Sequence, residues 1–191
     1  MFYPFDRSPI QPYFLYDKDS GLGEQDFLES ALLRDSERAT ENSDFWRIAA
    51  SGLATTIQGY FEDRESYAQV AGAAVGTFLS PNILARNLGE FVRHARAFAE
   101  RFPSSTMVRF RCQWWSLKGR EARDASAHWH LGGFRCDTDE RISSGVWPVG
   151  TLSSNLPEIV EELAAPIKRA FHLPAYALNA EWVRGDLPKW R

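Results

Sequence analysis

The chain has 191 residues, of which 44% are hydrophobic and 14% aromatic, and its formal net charge is −3. This length and composition suit one hydrophobic core, so we expect a single domain over residues 1–191, with an irregular lead-in over 1–23 and a packed tail over 174–191. No apolar run approaches the roughly 20 residues of a membrane span, and the first residues lack the pattern of a signal peptide. The two cysteines do not make a disulfide framework. The sequence therefore predicts a soluble, cytoplasmic protein without membrane association.

Charge is distributed unevenly along the chain. Residues 1–40 carry four basic and eight acidic side chains, whereas residues 86–123 carry nine basic and three acidic ones. Arginine outnumbers lysine eighteen to four over the whole chain, so the arginine bias is general rather than local. A mildly negative protein of this kind gives no overall electrostatic case for binding nucleic acid. A basic surface is expected only in the middle of the chain.

The first third of the chain predicts a helix and a hairpin. From Glu24 to about Arg38, apolar residues recur at helical spacing and acidic residues occupy the first turn, which predicts a short helix. The segments 45–50 and 53–61 flank Ser51-Gly52 and predict a β-hairpin. The alternative is one helix from Ser43, which the glycines and β-branched residues of this region oppose.

Ser80 and Pro81 mark the start of the clearest helix. Serine can cap free backbone amides, and proline is tolerated at the first helical position. Apolar residues then recur at three- and four-residue steps, which predicts a helix to about residue 102 that packs on a core. The apolar stripe consists of Leu84, Leu88, Phe91, Ala95, Phe98 and Phe102.

After Met107 the apolar period changes from about 3.6 to 2, which predicts a strand to about Trp115. The face of this strand that we expect in the core carries Val108, Phe110, Cys112 and Trp114. Segments 127–131 and 142–152 are further candidate strands, and Pro148 places the second at an edge or a bulge.

A final helix is predicted over residues 155–172. Asn155 and Glu158 have the spacing of a capping box, and Pro166 predicts a kink because it removes one backbone hydrogen bond. The whole pattern predicts an α+β fold, in which an antiparallel sheet of about five strands packs on two main helices, at about 81–102 and 155–172.

The order of these features resembles a known family. The segments that carry the likeness are Phe61-Glu-Asp-Arg64, Gly76-Thr-Phe78, the strand from Val108, Leu117-Lys-Gly-Arg120, Cys136-Asp-Thr-Asp-Glu-Arg141 and the helix from Asn155 to Phe171. Together they resemble the C-terminal, non-DNA-binding region of bacterial Schlafen-type, Alba-like DNA-binding transcriptional regulators. The likeness extends over about residues 45–172.

The resemblance implies an accessory module rather than a DNA-binding domain. In that family, DNA or nucleotide binding belongs to an N-terminal domain, and no stretch of this chain resembles that domain. DNA binding is therefore not carried over, and the resemblance supplies no catalytic residues. It implies either a stand-alone relative or a fragment of a longer regulator.

The strongest set of candidate binding residues lies on the second face of the strand after Met107 and in the turn that follows. The set consists of Arg109, Arg111, Gln113, Trp115, Lys118 and Arg120, with Arg123 close by. Guanidinium groups beside an aromatic ring suit a protein hot spot, a phosphate or single-stranded nucleic acid. The alternative is a solvated or helix-covered face whose arginines pair with acidic residues from 17–37.

Metal binding and catalysis have weaker support. His128 and His130 share a strand face and, with Cys112 or Cys136, could ligate zinc, but their spacing fits no zinc signature. Such histidine pairs are commonly surface residues or cross-strand partners. We expect Cys112 to be a buried, unreactive thiol, and a bridge between the two cysteines is not predicted.

The acidic segment after Cys136 has two interpretations. Asp137, Asp139 and Glu140 stand together as carboxylates do at divalent-metal and glycosyl-transfer sites, but an acidic turn between strands explains them as well. No dinucleotide loop, phosphate loop, nucleophile elbow or metalloprotease motif is present. No cofactor and no metal are predicted.

These observations favour a non-catalytic regulatory or protein-interaction module that binds a protein partner or a second copy of itself. One alternative is a nucleic-acid-associated protein that uses the arginine-rich strand face. A second alternative is a small hydrolase with a histidine and aspartate site. Membrane binding is not predicted.

Overall fold

A computed structural model of the protein describes residues 27–32, 44–49, 53–102, 104–123 and 133–187. Backbone contacts group the chain into two compact units, residues 1–64 and 65–191. Helices and strands both contribute to the described parts, and the predicted α+β class is confirmed. None of the helices in these parts is long and apolar enough to cross a membrane.

The first unit contains a three-stranded antiparallel sheet. Its strands, β1 (Phe27–Leu32), β2 (Asp44–Ala49) and β3 (Ala54–Gln58), lie in the order β1-β2-β3. Phe45 pairs with Ile57 across β2 and β3, so the predicted hairpin is confirmed. A single 3₁₀ turn, Phe61–Asp63, follows the sheet.

The prediction of a helix over residues 24–38 is wrong, because Phe27–Leu32 form strand β1. Its apolar residues satisfy a helical face, but six residues are too few for periodicity to distinguish a helix from a strand. The backbone of β1 instead pairs with β2, in a register that places Leu28 opposite Ile48. A partner distant in sequence therefore decides the conformation.

The described residues of the second unit form four α-helices and two small sheets. Its elements are α1 (Glu65–Val70), β4 (Phe78–Leu79), α2 (Pro81–Ala99), β5 (Met107–Trp114), β6 (Glu121–Ala122), β7 (Arg141–Pro148), α3 (Leu156–Ala170) and α4 (Ala180–Asp186).

Helix α2 begins as its sequence predicts. The Ser80 hydroxyl accepts a hydrogen bond from the Ile83 amide at 3.4 Å, and Pro81 occupies the first turn. The buried side is formed by Leu84, Ala85, Leu88 and Val92. The regular helix ends at Ala99, three residues before the predicted end, and continues as a turn. The prediction of a helix at this place is confirmed.

Helix α3 is also confirmed, but its predicted capping box is wrong. The side chain of Asn155 makes no capping hydrogen bond, and its backbone amide donates to the Thr151 carbonyl at 3.0 Å. In a capping box the residue at the position of Glu158 would accept from that amide. The Glu158 carboxylate instead forms an ion pair with Arg184. The helix continues through Pro166 to Ala170.

Strands β5 and β7 form an antiparallel pair that packs on α2 and α3. Phe110 is 1% exposed and forms edge-to-face contacts with Phe91 and Trp147, at ring distances of 5.3 and 5.6 Å. Gly145 lies opposite Phe110, and a Cβ atom there would come within 2.0 Å of the Trp147 indole. The indole therefore occupies the space above Gly145.

The single five-stranded antiparallel sheet is not found in the described residues. Its strands are divided among sheets of three, two and two strands, and β4 and β6 are parallel. After β5, Ser116 and Gly119 adopt left-handed backbone conformations, with φ of 56° and 81°. The chain turns away from β5 at this point, and β6 pairs with β4. The candidate strand at 127–131 lies outside the described residues.

Candidate functional site

The β5–β7 pair has one side packed in the unit and one side toward solvent. Residues opposite one another on paired strands share a face, and successive residues alternate between faces. The register therefore places eight residues on the solvent side, which we call the outer face. The outer face consists of Met107, Arg109, Arg111, Gln113, Ile142, Ser144, Val146 and Pro148.

The inner face agrees with the prediction that Val108, Phe110, Cys112 and Trp114 belong to the core side. Phe110 is fully buried and the other three are half-buried. All the residues of the outer face are exposed except Gln113, which is half-buried. The alternation seen in the sequence therefore assigns the two faces correctly.

The outer face combines cations with exposed aliphatic side chains. Met107, Ile142 and Val146 are 49%, 45% and 49% exposed. Arg109 lies opposite Val146, and Arg111 lies opposite Ser144. The outer face contains no acidic residue, and among the described residues neither arginine has an ion-pair partner. As far as the structure describes the chain, this surface thus offers two guanidinium groups without a carboxylate partner, next to exposed apolar area.

A hydrogen bond links one end of the outer face, at Gln113, to the segment before β7. The Gln113 amide donates to the Glu140 carboxylate, which belongs to the acidic segment before β7. Trp115 follows directly after β5 and is 48% exposed. Lys118 is exposed in the turn beyond it. Five of the six predicted binding residues therefore lie on the outer face or just after it.

Arg120 does not belong to this surface. Its side chain is buried, with the residue only 3% exposed, and its guanidinium holds the turn together from inside. Nε donates to the Ser116 carbonyl at 2.7 Å, and Nη1 donates to the Phe78 carbonyl at 3.0 Å. The prediction that Arg120 contacts a ligand is therefore corrected: it is a structural residue.

Arg123 is engaged with its own unit as well. Its Nη1 donates to the Gly72 carbonyl at 3.1 Å, and its Nε lies 3.6 Å from the Glu121 carboxylate. Glu121 also accepts a hydrogen bond from the Gly133 amide at 3.0 Å and from Arg135 at 3.3 Å. These contacts, led by the Gly133 amide, lower the pKa of Glu121. The sequence contains no signal for this arrangement.

Neither cysteine has the environment of a nucleophile. Burial raises the pKa of the Cys112 thiol to about 12, so the thiol stays protonated at neutral pH. Cys136 is buried, and its Sγ lies 3.2 Å from the Thr138 carbonyl oxygen, to which it donates. Both residues are free thiols, as the sequence predicts.

The acidic segment is a solvated turn in this structure. Asp137, Asp139 and Glu140 are exposed, and Asp137 lies 3.8 Å from Arg141 and 3.7 Å from His172. Within the described ranges, no three histidine, cysteine or acidic residues come close enough to hold a metal ion. The weak zinc candidates His128 and His130 lie outside those ranges.

A separate cleft of about 430 Å³ opens between the C-terminal half of α2 and the turn before α3. Arg93, Arg96 and Glu100 line it from α2, and Ser153, Leu152 and Leu156 line it from the other side. Neither arginine belongs to the apolar stripe that the sequence predicts for α2. No feature of the sequence indicates that a cleft would face them.

Comparison with known proteins gives no relative from which a role could be transferred: no protein-family model, no curated protein and no solved structure matches this chain.

Proposed function

We propose that this protein is a non-catalytic interaction module whose outer face binds an acidic polypeptide segment that also carries aliphatic side chains. The observation that carries the proposal is the composition of the outer face. Two arginines with no acidic partner among the described residues lie between exposed aliphatic residues, on a pair of strands whose other side is packed on helices.

The aliphatic residues favour a polypeptide partner. Val146 and Ile142 are 49% and 45% exposed, so a partner with apolar groups can gain about half of the roughly 1.5 to 3 kcal/mol that full burial of such a side chain contributes. Arginine and methionine are both enriched at protein–protein interfaces, and the outer face carries Arg109, Arg111 and Met107. Acidic residues on the partner would meet Arg109 and Arg111 and select against basic partners.

Single-stranded nucleic acid is the alternative occupant. It would use a series of aromatic rings for base stacking along a basic groove. The outer face itself has no aromatic residue, and Trp115 is one ring at its end. The apolar area of Met107, Ile142 and Val146 would meet no apolar group on a phosphate backbone.

The sequence resemblance supports the accessory role in this proposal. A module that accompanies a DNA-binding domain needs a surface for other proteins or for a second copy of itself, and the outer face supplies one. Two free thiols suit a reducing compartment, so we place this role in the cytoplasm.

The proposal is tested with labelled peptides in which acidic and aliphatic residues alternate, and fluorescence anisotropy is the measurement. We expect binding that the double variant R109E/R111E weakens at least about tenfold, because a reversed charge repels an acidic peptide. The matched control is R101E, which changes an exposed arginine outside the outer face in the same way. It should bind like the unmodified protein.

Two further probes separate the alternatives. Peptides with lysine in place of the acids should not bind, and V146D should weaken binding of the acidic peptides although it leaves both arginines in place. If short single-stranded DNA binds in a salt-sensitive manner that R109E/R111E abolishes, and the acidic peptides do not bind, the protein is a nucleic-acid-binding module instead.

A further inference from the structure

The backbone hydrogen bonds between β5 and β7 use every second residue of each strand. In an antiparallel pair, directly opposed residues alternate between pairs that exchange hydrogen bonds and pairs that do not. Thr106 and Val149 continue the register by one residue, and the Val149 amide donates to the Thr106 carbonyl at 3.0 Å. The next pair, Met107 with Pro148, therefore exchanges no hydrogen bond, which agrees with the missing amide hydrogen of proline.

This alternation determines which backbone groups of β5 point away from β7. Every second residue after Met107 also belongs to a pair that exchanges no hydrogen bond, so its amide and carbonyl point to the other side of the strand. We call these groups the β5 edge, and they belong to Met107, Arg109, Arg111 and Gln113. Among the residues that the structure describes, they have no hydrogen-bond partner.

The β5 edge belongs to the same four residues whose side chains form the β5 half of the outer face. Open backbone groups along a strand are a template for pairing with a further extended segment. A strand added to the β5 edge would lie about 4.8 Å from β5, and a strand added beyond β7 would lie about twice as far away. Only the first position brings the side chains of the added strand directly beside Arg109 and Arg111.

The side chains next to the β5 edge determine which segment can be added. A second β5 strand centred on the first would place arginine beside arginine, and like charges directly opposite one another on paired strands are destabilising. An acidic residue at the same place would pair with the guanidinium group instead. On the inner face, Val108 and Cys112 are half-buried, so apolar surface remains there for aliphatic side chains.

We infer that the acidic segment bound by the outer face is an extended strand that adds to the β5 edge and enlarges the sheet from two strands to three. The inference rests on the proposed function and adds the conformation of the partner and the spacing of its acidic residues. Acidic residues at alternate positions pair with Arg109 and Arg111, and the intervening aliphatic residues lie beside Val108 and Cys112. The partner's backbone supplies the remaining hydrogen bonds.

Amide hydrogen exchange of the free protein is the first measurement. The amides of Arg109 and Arg111 should exchange at least about tenfold faster than the amide of Phe110, which lies between them and points to β7. The inference is overturned if all three amides are equally protected, because the β5 edge would then already be occupied.

The second measurement uses peptides of alternating acidic and aliphatic residues with N-methyl groups in place of half of the amide hydrogens. One peptide is methylated at its acidic residues, and its matched control carries the same number of methyl groups at its aliphatic residues. A paired strand directs only one of these two sets of amides toward its neighbour. One methylated peptide should therefore bind at least about tenfold more weakly than the unmethylated peptide, and the other should bind like it.

Amide exchange of the complex identifies the strand that receives the peptide. Binding of the unmethylated peptide should slow the exchange of Arg109 and Arg111 at least about tenfold and leave Ser144 and Val146, whose amides point away from β5, unchanged. Equal binding of the two methylated peptides, or protection of Ser144 and Val146 alone, would overturn strand addition to β5 and leave the proposed function in place. If the unmethylated peptide does not bind, the proposed function and this inference both fail.

Discussion

At the scale of single residues, Arg120 and Lys118 lie two positions apart and differ completely in role. Arg120 is buried and donates to two carbonyls, whereas Lys118 is exposed. We predict that R120M lowers the free energy of unfolding by about 3 kcal/mol, because it leaves buried acceptors without donors. K118M should change it by less than about 0.5 kcal/mol. Urea denaturation of both variants checks this, and equal effects would contradict it.

The same pair shows what a sequence reveals about a binding residue. The strand alternation placed Arg109 and Arg111 on a solvent face, because a period of two fixes which side chains share a face. No period applies to the turn after Trp115. There Ser116 and Gly119 adopt left-handed conformations, and the Arg120 side chain lies in the interior. Charge alone predicts an exposed side chain, and buried arginines of this kind are found only from geometry.

At the scale of elements, the packing of β7 on β5 depends on the missing side chain at Gly145. A Cβ atom there would meet the Trp147 indole, which also contacts Phe110. We predict that G145A destabilises the protein by about 1 to 3 kcal/mol, as overpacking does. Gly150 is the matched control, because a Cβ atom at that position has no neighbour within 4 Å. Thermal unfolding should show a lower Tm for G145A and not for G150A.

Elements that carry their own local signals were predictable, and those that depend on distant partners were not. Helix α2 has a capping serine, a proline in its first turn and an apolar stripe long enough to distinguish a period of 3.6 from one of 2. Strand β1 has only six residues, and its pairing with β2 decides its conformation. The capping box of α3 failed for a related reason, since the amide of Asn155 is used by the preceding turn.

At the scale of the whole molecule, the stability of the fold should depend on the protonation of His94 as the pH falls below neutrality. Burial lowers the pKa of His94, with Glu90 raising it and Arg93 lowering it by smaller amounts. The folded state therefore favours neutral His94. Its contribution to stability is fully present above the unfolded pKa of about 6.5 and is lost as the pH falls below that value toward the folded pKa.

The predicted result is a free energy of unfolding that decreases between about pH 6.5 and the folded pKa of His94, with a smaller decrease in H94Q. Urea denaturation at a series of pH values is the measurement. Above about pH 7.5 the two proteins should show parallel pH dependence, since His94 is neutral in both the folded and the unfolded state there. An equal slope in both proteins over the acidic range would contradict the assignment.

The α+β class and the two main helices followed from the sequence, but the arrangement of strands did not. A period of two identifies an extended segment and its buried side, but it does not identify the strand that pairs with it. For this reason the prediction of a strand at β5 is confirmed, whereas the prediction of one five-stranded sheet is not. The prediction of one domain over 1–191 stays a prediction. The cleft was not predictable, because it depends on how the turn before α3 meets α2.

The contacts of Glu121 have a consequence for protein engineering. Its carboxylate accepts a hydrogen bond from the Gly133 amide and lies 3.6 Å from the Arg123 guanidinium, so one side chain joins two parts of the chain. The hydrogen bond from the Ala122 amide to the Phe134 carbonyl joins the same two parts through the backbone. A substitution such as E121A therefore removes the side-chain connection and leaves the backbone connection in place, which makes position 121 a point at which this junction can be loosened by a single change.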